Sequence, residues 1–391
     1  MTSSRPASSL DALTDLLDLR ADGADGAERT RLGVVGGRFL VPLDFPDATA
    51  EACLAYLGLR DRKTQVTRGA VGLALRFGLG RAVVGDVLTA ATGAGSLVAL
   101  LEDLLAEPDE EPGLAVAVGL NRIDEVWKPT LQVFRPDGTP AAFVKIGLGP
   151  VGDRLVGTEA DTLAAWAAHP DPRLVVPDLI ADTTWNGLRI AVVAPLPEDA
   201  RRLPPGSPSA WAVRDLDPPE ARATLSGAPW WTDRRAACAD HPSVDRILSH
   251  LEERHGGSER AWARWHGDWV PWNLARCHRG LVAWDWEYSE PGAPVGLDEV
   301  HGAYQQARVV EGRSIADSLT VARSAAHRLD EPTTAGLDVA TRYDGAPQWW
   351  LADAHVAMLI TRSAELERLL GEPPADQAEL FAAALDAVAI L

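Results

Sequence analysis

Lysine is almost missing from this chain. Only Lys63, Lys128 and Lys145 stand among 37 basic side chains, and arginine supplies the rest. Cysteine is equally scarce. Cys53, Cys238 and Cys277 are odd in number and far apart, which excludes a disulfide framework and zinc-ligand spacing and suits a reducing compartment. Long hydrophobic runs are lacking too: the greasiest stretch, Ser96 to Leu105, is broken by Glu102 and Asp103, so no membrane span is expected. The opening residues MTSSRPASSLDALTDLL have no basic segment ahead of an apolar one, so no secretory signal is expected and a cytoplasmic location is. A basic stripe is absent as well. With 37 basic against 56 acidic side chains the formal net charge is -19, which disfavours nucleic acid and anionic membranes as partners. A neutral or cationic small substrate fits such a surface better.

What is present is ordinary globular composition, 46% hydrophobic and 24% charged over 391 residues, enough for two or three domains. Residues 1 to about 25 read as a frayed arm or one loose helix. Gly36 to Pro46 then reads as a short strand, Ala48 to Leu57 as a helix, and Gly85 to Glu107 as helical spacing interrupted by Gly93 and Gly95. The acidic, Pro-bearing segment EPDEEPG, Glu107 to Gly113, reads as a domain boundary. After it the period changes from helical to strand-like. LAVAVGL and PTLQVFRPDGTPAAFVKIG give three strands, the last two joined by a hairpin whose turn holds Asp137-Gly138. A helix from about Asp153 to Ala168 follows, then two more strands in RLVVPDLIAD and LRIAVVAP. A Pro-rich link from Pro195 to Pro219 leads to a mostly helical remainder.

One stretch breaks that helical remainder, Trp265 to His301. It carries His266-Gly267-Asp268, then Asn273 five residues past the aspartate, then Asp285-Trp286-Glu287 after an apolar run. Asp268 and Asn273 share a loop, and the short strand GLVAWDW would lay Asp285 beside them. A carboxylate, a carboxamide oxygen and a second carboxylate form a hard-oxygen set that suits Mg²⁺ carrying phosphates, with one carboxylate left to handle a proton.

These motifs resemble the aminoglycoside phosphotransferase and choline kinase-like family, whose catalytic loop runs His-Gly-Asp-x-x-x-x-Asn and whose metal motif is Asp-Trp/Phe-Glu after an apolar residue or two. The resemblance covers roughly residues 114 to 391. It implies an α+β, bilobal protein-kinase-like fold: a five-stranded antiparallel N-lobe sheet with one helix, a mainly helical C-lobe, and here an additional N-terminal domain. The expected divisions are 1–112, 113–196 and 197–391. It further implies ATP and Mg²⁺ as cofactors, Asp268 as the catalytic group that takes the hydroxyl proton, and Asn273 and Asp285 as metal ligands. Lys145, on the third strand counted from Leu114, would grip the α- and β-phosphates, fixed by Glu159 fourteen residues later in the following helix. Lys128, at the mouth of a strand, competes for a phosphate or substrate contact. His266 and Asp298 are expected to brace the loop, Asp298 as an acceptor for its amides. No glycine-rich loop joins the first two strands.

The acceptor is expected to be a hydroxyl of a small polar molecule, an aminoglycoside, amino sugar or sugar. A kinase for Ser/Thr of a biosynthetic peptide and a catalytically silent kinase-like binding module are the alternatives. Fourteen tryptophans against six phenylalanines, with Trp269, Trp272, Trp284 and Trp286 around the motif, suggest either stacking platforms for a sugar or plain core filling.

Overall fold

The computed structural model describes residues 8–22, 28–56, 62–77, 83–107, 113–120, 124–172, 174–203, 221–329 and 349–389. The chain is mixed α+β with mainly antiparallel sheets and divides into two compact units. The first comprises residues 1–167 and 177–198, the second 168–176 and 199–391. No helix among the described residues is long and apolar enough to cross a membrane.

The first unit is built on one nine-stranded sheet. Its strands are β1 (Arg20–Ala21), β2 (Arg29–Val35), β3 (Phe39–Pro42), β4 (Val84–Ala91), β5 (Ala115–Gly119), β6 (Thr130–Phe134), β7 (Pro140–Ile146), β9 (Leu179–Trp185) and β10 (Leu188–Val193), in the order β1-β4-β2-β3-β5-β6-β7-β10-β9. The five strands expected after Gly113 are all here, antiparallel, with one long helix, α5 (Gly149–Ala168), between β7 and β9. Alternation along them is strict where it matters. Val116, Val118, Leu131, Val133, Val144, Ile146, Ile190 and Val192 face one core, while Ala115, Ala117, Phe134 and Ala191 face the other side.

The region before Gly113 is not set apart from those strands. β3 pairs with β5 (Phe39 with Gly119, Leu40 with Val118), so the sheet runs through the expected 112/113 boundary without a break. α1 (Ser9–Leu17) and α4 (Leu97–Leu105) bury Leu13, Leu16, Leu17, Leu97 and Leu101 in the same core as Val116 and Leu131. The acidic segment marks a connection between paired strands, not the end of a domain; residues 108–112 lie outside the described ones. Of the two forms expected for the opening residues, 9–17 take the helical one, packed rather than loose, because Leu13, Leu16 and Leu17 form a helical stripe and Ser8 caps it, its Oγ accepting from Asp11 N at 3.2 Å. α2 (Asp47–Tyr56) covers the opposite face, with Leu54 packed beside Val41 and Cys53 beside Phe134.

Two further expectations change. The stretch from Gly85 to Glu107 is a strand followed by a helix: Gly95 turns at φ +84°, and Ser96 Oγ accepts from Ala99 N at 3.1 Å to start α4. RLVVPDLIAD is also two elements. Pro177, which has no N–H to give a ladder, separates β8 (Leu174–Val175) from β9, and β8 joins the second unit by pairing in parallel with β15 (Gly280–Ala283). The link expected from Pro195 to Pro219 falls mostly outside the described residues.

The second unit is mainly helical around one large core, with α6 (Pro229–Ala237), α7 (Pro242–His255), α8 (Leu297–Gln305), α9 (Ile315–Arg328), α10 (Trp350–Leu370) and α11 (Gln377–Ala389). Two small sheets interrupt it: β11 (Arg201–Arg202), β14 (Leu274–Cys277), β15 and β8 in one, β12 (Ala221–Thr224), β13 (Glu259–Trp265) and β16 (Glu290–Pro294) in the other. These sheets hold the motif stretch: β13 ends at Trp265, the β14–β15 hairpin spans the centre, and β16 leads into α8.

Candidate active site

In the first unit the alternation of β7 turns Lys145 away from the Val144–Ile146 core and toward the side that α5 covers. Glu159 sits on α5 in register with it. Lys145 Nζ donates to Glu159 Oε1 at 2.5 Å and Oε2 at 2.6 Å, and both residues are buried, at 5% and 1% exposure. Taking two charges out of water is tolerable only when they meet in this way, so the pair is locked. Ala191, directly across from Lys145 on β10, is small and leaves the space in which the lysine reaches α5.

In the second unit the loop His266-Gly267-Asp268 follows β13. Gly267 is at φ +81°, and a Cβ there would collide with the Tyr288 carbonyl, so only glycine allows the turn. Asp298, buried on the first turn of α8, receives the loop's amides: Oδ2 accepts from His266 N at 2.7 Å and Oδ1 from Gly267 N at 2.9 Å. Asp268 N donates to His266 Nδ1 at 3.2 Å, which places the imidazole proton on Nε2, where it is given to Trp284 O at 3.0 Å. His266 thus ties the Asp268 loop to the Asp285 loop.

Asn273 lies where that loop enters β14. Leu274 pairs with Ala283 across the hairpin and Trp284 N donates to Asn273 O at 3.2 Å, so Asn273 and Asp285 come from adjoining ends of two paired strands. Asn273 Nδ2 donates to Asp268 Oδ2 at 2.8 Å and to Asp268 O at 3.1 Å. Its Oδ1 is then the atom left to face a cation. Asp285 is in the left-handed region, φ +64°, a conformation that asparagine and aspartate tolerate better than most residues.

Asp268 is pushed up to about 7: burial comes first, then the charges of Glu287 and Asp285, opposed by Arg362 and by the Asn273 bond. Asp298 is pushed up to about 6 by burial, against its two amide bonds and the charge of Arg362. A carboxylate crowded by two others is a place that a divalent cation would relieve. The donor set, one carboxamide oxygen and carboxylates with no sulfur or imidazole, fits Mg²⁺.

Of the residues singled out in the sequence, Lys145 and Glu159 meet in the first unit, while Asp268, Asn273 and Asp285 gather in the second with Glu287 and Asp298. The tryptophans divide. Trp269 and Trp286 are buried against the His266 ring, at 5.4 and 4.3 Å between centroids, and Trp350 packs on Trp262, so these fill core. Sequence reasoning missed Arg362, on α10. Its signal was a lone cation at the end of the apolar run VAMLIT.

No protein-family model matches the chain, and no curated protein matches it. Among solved structures it is similar to a thermostable mutant of aminoglycoside phosphotransferase APH(4)-Ia in its apo form, at 13% identity and a TM-score of 0.43, over 67% of this chain and 91% of that one. It is similar to amicoumacin kinase hAmiN in complex with AMP-PNP, Ca²⁺ and Ami, at 9% identity and 0.44, over 75% and 93%. A glucosamine kinase, crystal form B, gives 13% and 0.34 over 100% and 97%. Every one of these scores is below 0.5, so the likeness assigns no activity to this chain.

Proposed function

We propose that the protein is a small-molecule kinase that moves the γ-phosphoryl group of ATP to a hydroxyl of a small polar acceptor, such as an aminoglycoside, amino sugar or sugar. The observation that carries this reading is the Asp268–Asn273 bond at 2.8 Å inside a loop whose amides Asp298 holds. It fixes a carboxylate whose proton affinity is near neutral, as a group that must take a proton at cellular pH requires.

Asp268 Oδ2 is committed to Asn273, so Oδ1 is the oxygen that receives the acceptor hydroxyl and its proton. Asn273 therefore has two tasks: its amide nitrogen orients Asp268, and its Oδ1, with Asp285, would hold the metal. Mg²⁺ at those two oxygens would neutralise phosphate charge. Lys145, immobilised by Glu159, takes the α- and β-phosphates; its buried ion pair supplies a fixed cation that needs no rearrangement when nucleotide arrives. Phosphoryl transfer asks the protein mostly for placement and charge neutralisation, and these five residues supply both.

The test is ADP release measured with sugars, amino sugars, aminoglycosides and hydroxylated peptides, alongside Mg²⁺-ATP binding. The expected result is Mg²⁺-dependent release with one small-molecule class, and a larger loss of Mg²⁺-ATP affinity in Asp285→Ala than in Asp268→Ala. ATP binding with no release across the panel would make the chain a binding module instead.

A further inference from the structure

Arg362 occupies a place that the reaction outlined above does not use. Its guanidinium lies 4.2 Å from the centre of the Tyr288 ring and 5.6 Å from that of Trp265. Trp265 is the residue immediately before His266-Gly267-Asp268, and Tyr288 the residue immediately after Asp285-Trp286-Glu287. One cation on α10 is therefore stacked on an aromatic from each of the two loops that carry the candidate chemistry. Among the described residues Arg362 makes no ion pair.

We propose that Arg362 is a positioning residue: its guanidinium, stacked on Trp265 and Tyr288, pins the Asp268 loop and the Asp285 loop to helix α10 in one mutual setting. The loops are already close at this point. Ser289 Oγ donates to Trp265 O at 2.8 Å, and Gly267 lies so near the Tyr288 carbonyl that no side chain fits between them. A shift of Tyr288 is therefore a shift of Gly267 and, one residue on, of Asp268. The helix that bears Arg362 is anchored at its other end, where Asp353 accepts from His255 Nε2 at 2.8 Å and Arg254 at 3.4 Å. It is tied to α8 by the His301–His355 contact at 3.1 Å, so the same helix pair also sets Asp298.

Arginine suits this task better than lysine, because its flat, always-charged guanidinium can stack on two rings at once. Its charge also reaches Asp268 and Asp298, favouring the ionised form of both in a region crowded with carboxylates. The cation thus holds the loops by their aromatic flanks while offsetting the charge they carry.

The kinetic part of this inference rests on the kinase reading; the structural part does not, and the experiment separates them. Amide hydrogen exchange of residues 265–270 and 284–290 is measured in the wild type, Arg362→Met and Arg362→Lys, together with kcat and KM for ATP. In Arg362→Met both segments are expected to exchange faster, with kcat lower by roughly ten- to a hundredfold and KM for ATP changed by no more than about twofold. Arg362→Lys keeps the charge and should recover part of both losses. Unchanged exchange in a folded Arg362→Met overturns the proposal, and so does equal impairment of the two variants, which would reduce Arg362 to packing. Should Arg362→Met not fold, Tyr288→Leu removes the nearer ring from the other side; it is expected to loosen the same two segments, and unchanged exchange there is equally fatal. A wild type that releases no ADP with any acceptor defeats the kinase reading, while the exchange data still decide Arg362.

Discussion

The two units hold the charged side chains of the candidate site by opposite means. In the first, one lysine and one glutamate meet at 2.5 and 2.6 Å, buried, each the counter-ion of the other. In the second, Asp268 lies with Asp285 and Glu287, and burial first, then those two charges, raise its proton affinity, while the Asn273 bond and the charge of Arg362 oppose the rise and His266 ties the two loops together. The contrast teaches that Lys145 and Glu159 are matched as opposite charges, whereas the carboxylate group is assembled against its own repulsion. On the reading proposed above, a bound divalent cation would relieve that repulsion. The same division runs through the architecture: one continuous sheet and the helix α5 carry the pair, and a short hairpin with its flanking loops carries the carboxylates.

The largest effect that would test this contrast is removal of the chain before Gly113. That cut takes away β1–β4 with α1, α2, α3 (Arg62–Arg76) and α4, exposes β5 as an edge, and strips Leu13, Leu97 and Leu101 from Val116 and Leu131. The first unit is expected not to fold, seen as loss of its cooperative melt and of nucleotide binding. A shortened chain melting near the full-length temperature would show that five strands suffice.

Next in size, Asp268→Asn should lower turnover by about 10² to 10⁴, the ordinary worth of a general base, with melting temperature unchanged or raised because a repulsion is removed. A drop of more than about 4 °C, on the order of 1–2 kcal/mol at this size, would place Asp268 among the structural groups. Lys145→Met is the mirror image. It strands Glu159 in the interior and is expected to cost about 3–5 kcal/mol in denaturant melts. Adding Glu159→Leu should return most of that stability but none of the nucleotide binding. If the double variant is no more stable than the single one, the two charges are not each other's main partners.

The last effect concerns pH and belongs to the second unit. Burial holds His301 and His355 below the usual imidazole value, His355 down to about 3, and Arg362 and the rings themselves add to it. The unfolded chain therefore binds protons that the folded chain refuses. This stability is complete above about pH 6.5 and is lost as pH falls toward the folded values, by up to about 1.4 kcal/mol per pH unit for each ring. Melting temperature followed from pH 7 to 4 should decline, with a shallower slope in His355→Gln. An identical slope in that variant would assign the acid sensitivity to other groups.

How far the sequence disclosed all this depends on distance along the chain. Asp268, Asn273 and Asp285 lie within eighteen residues and one hairpin, so their spacing is itself the geometry. Lys145 stood out because lysine is so rare and because this one interrupts an apolar strand; helical phase led to Glu159. β3 lies inside the stretch Gly36 to Pro46 that reads as a strand, but β1, β2 and β4 were another matter. β2 reads RTRLGVV, too charged for an interior strand, and is legible only once Arg29 is seen bonded to Asp18 and Thr89, and Arg31 to Asp44. Arg362 lies 74 residues past Tyr288, and nothing local announces that the two stack. The β3–β5 pairing, which abolishes the expected boundary, is invisible for the same reason.

The place of β8 has a consequence for the newly made chain. Leu174 and Val175 belong to the second unit although the residues on either side of them, up to 167 and from 177, belong to the first. Their partners, Leu281 and Val282, are 107 residues further on. At about 5–20 residues per second a ribosome needs roughly 5 to 20 seconds to supply them. During that interval β9 and β10 have already emerged and the first sheet has every strand it needs, so it can close while the short segment in its midst still waits. Synthesis therefore passes through a stage with one finished sheet and one bare apolar strand between two of its own elements, the point at which a chaperone would find most to hold.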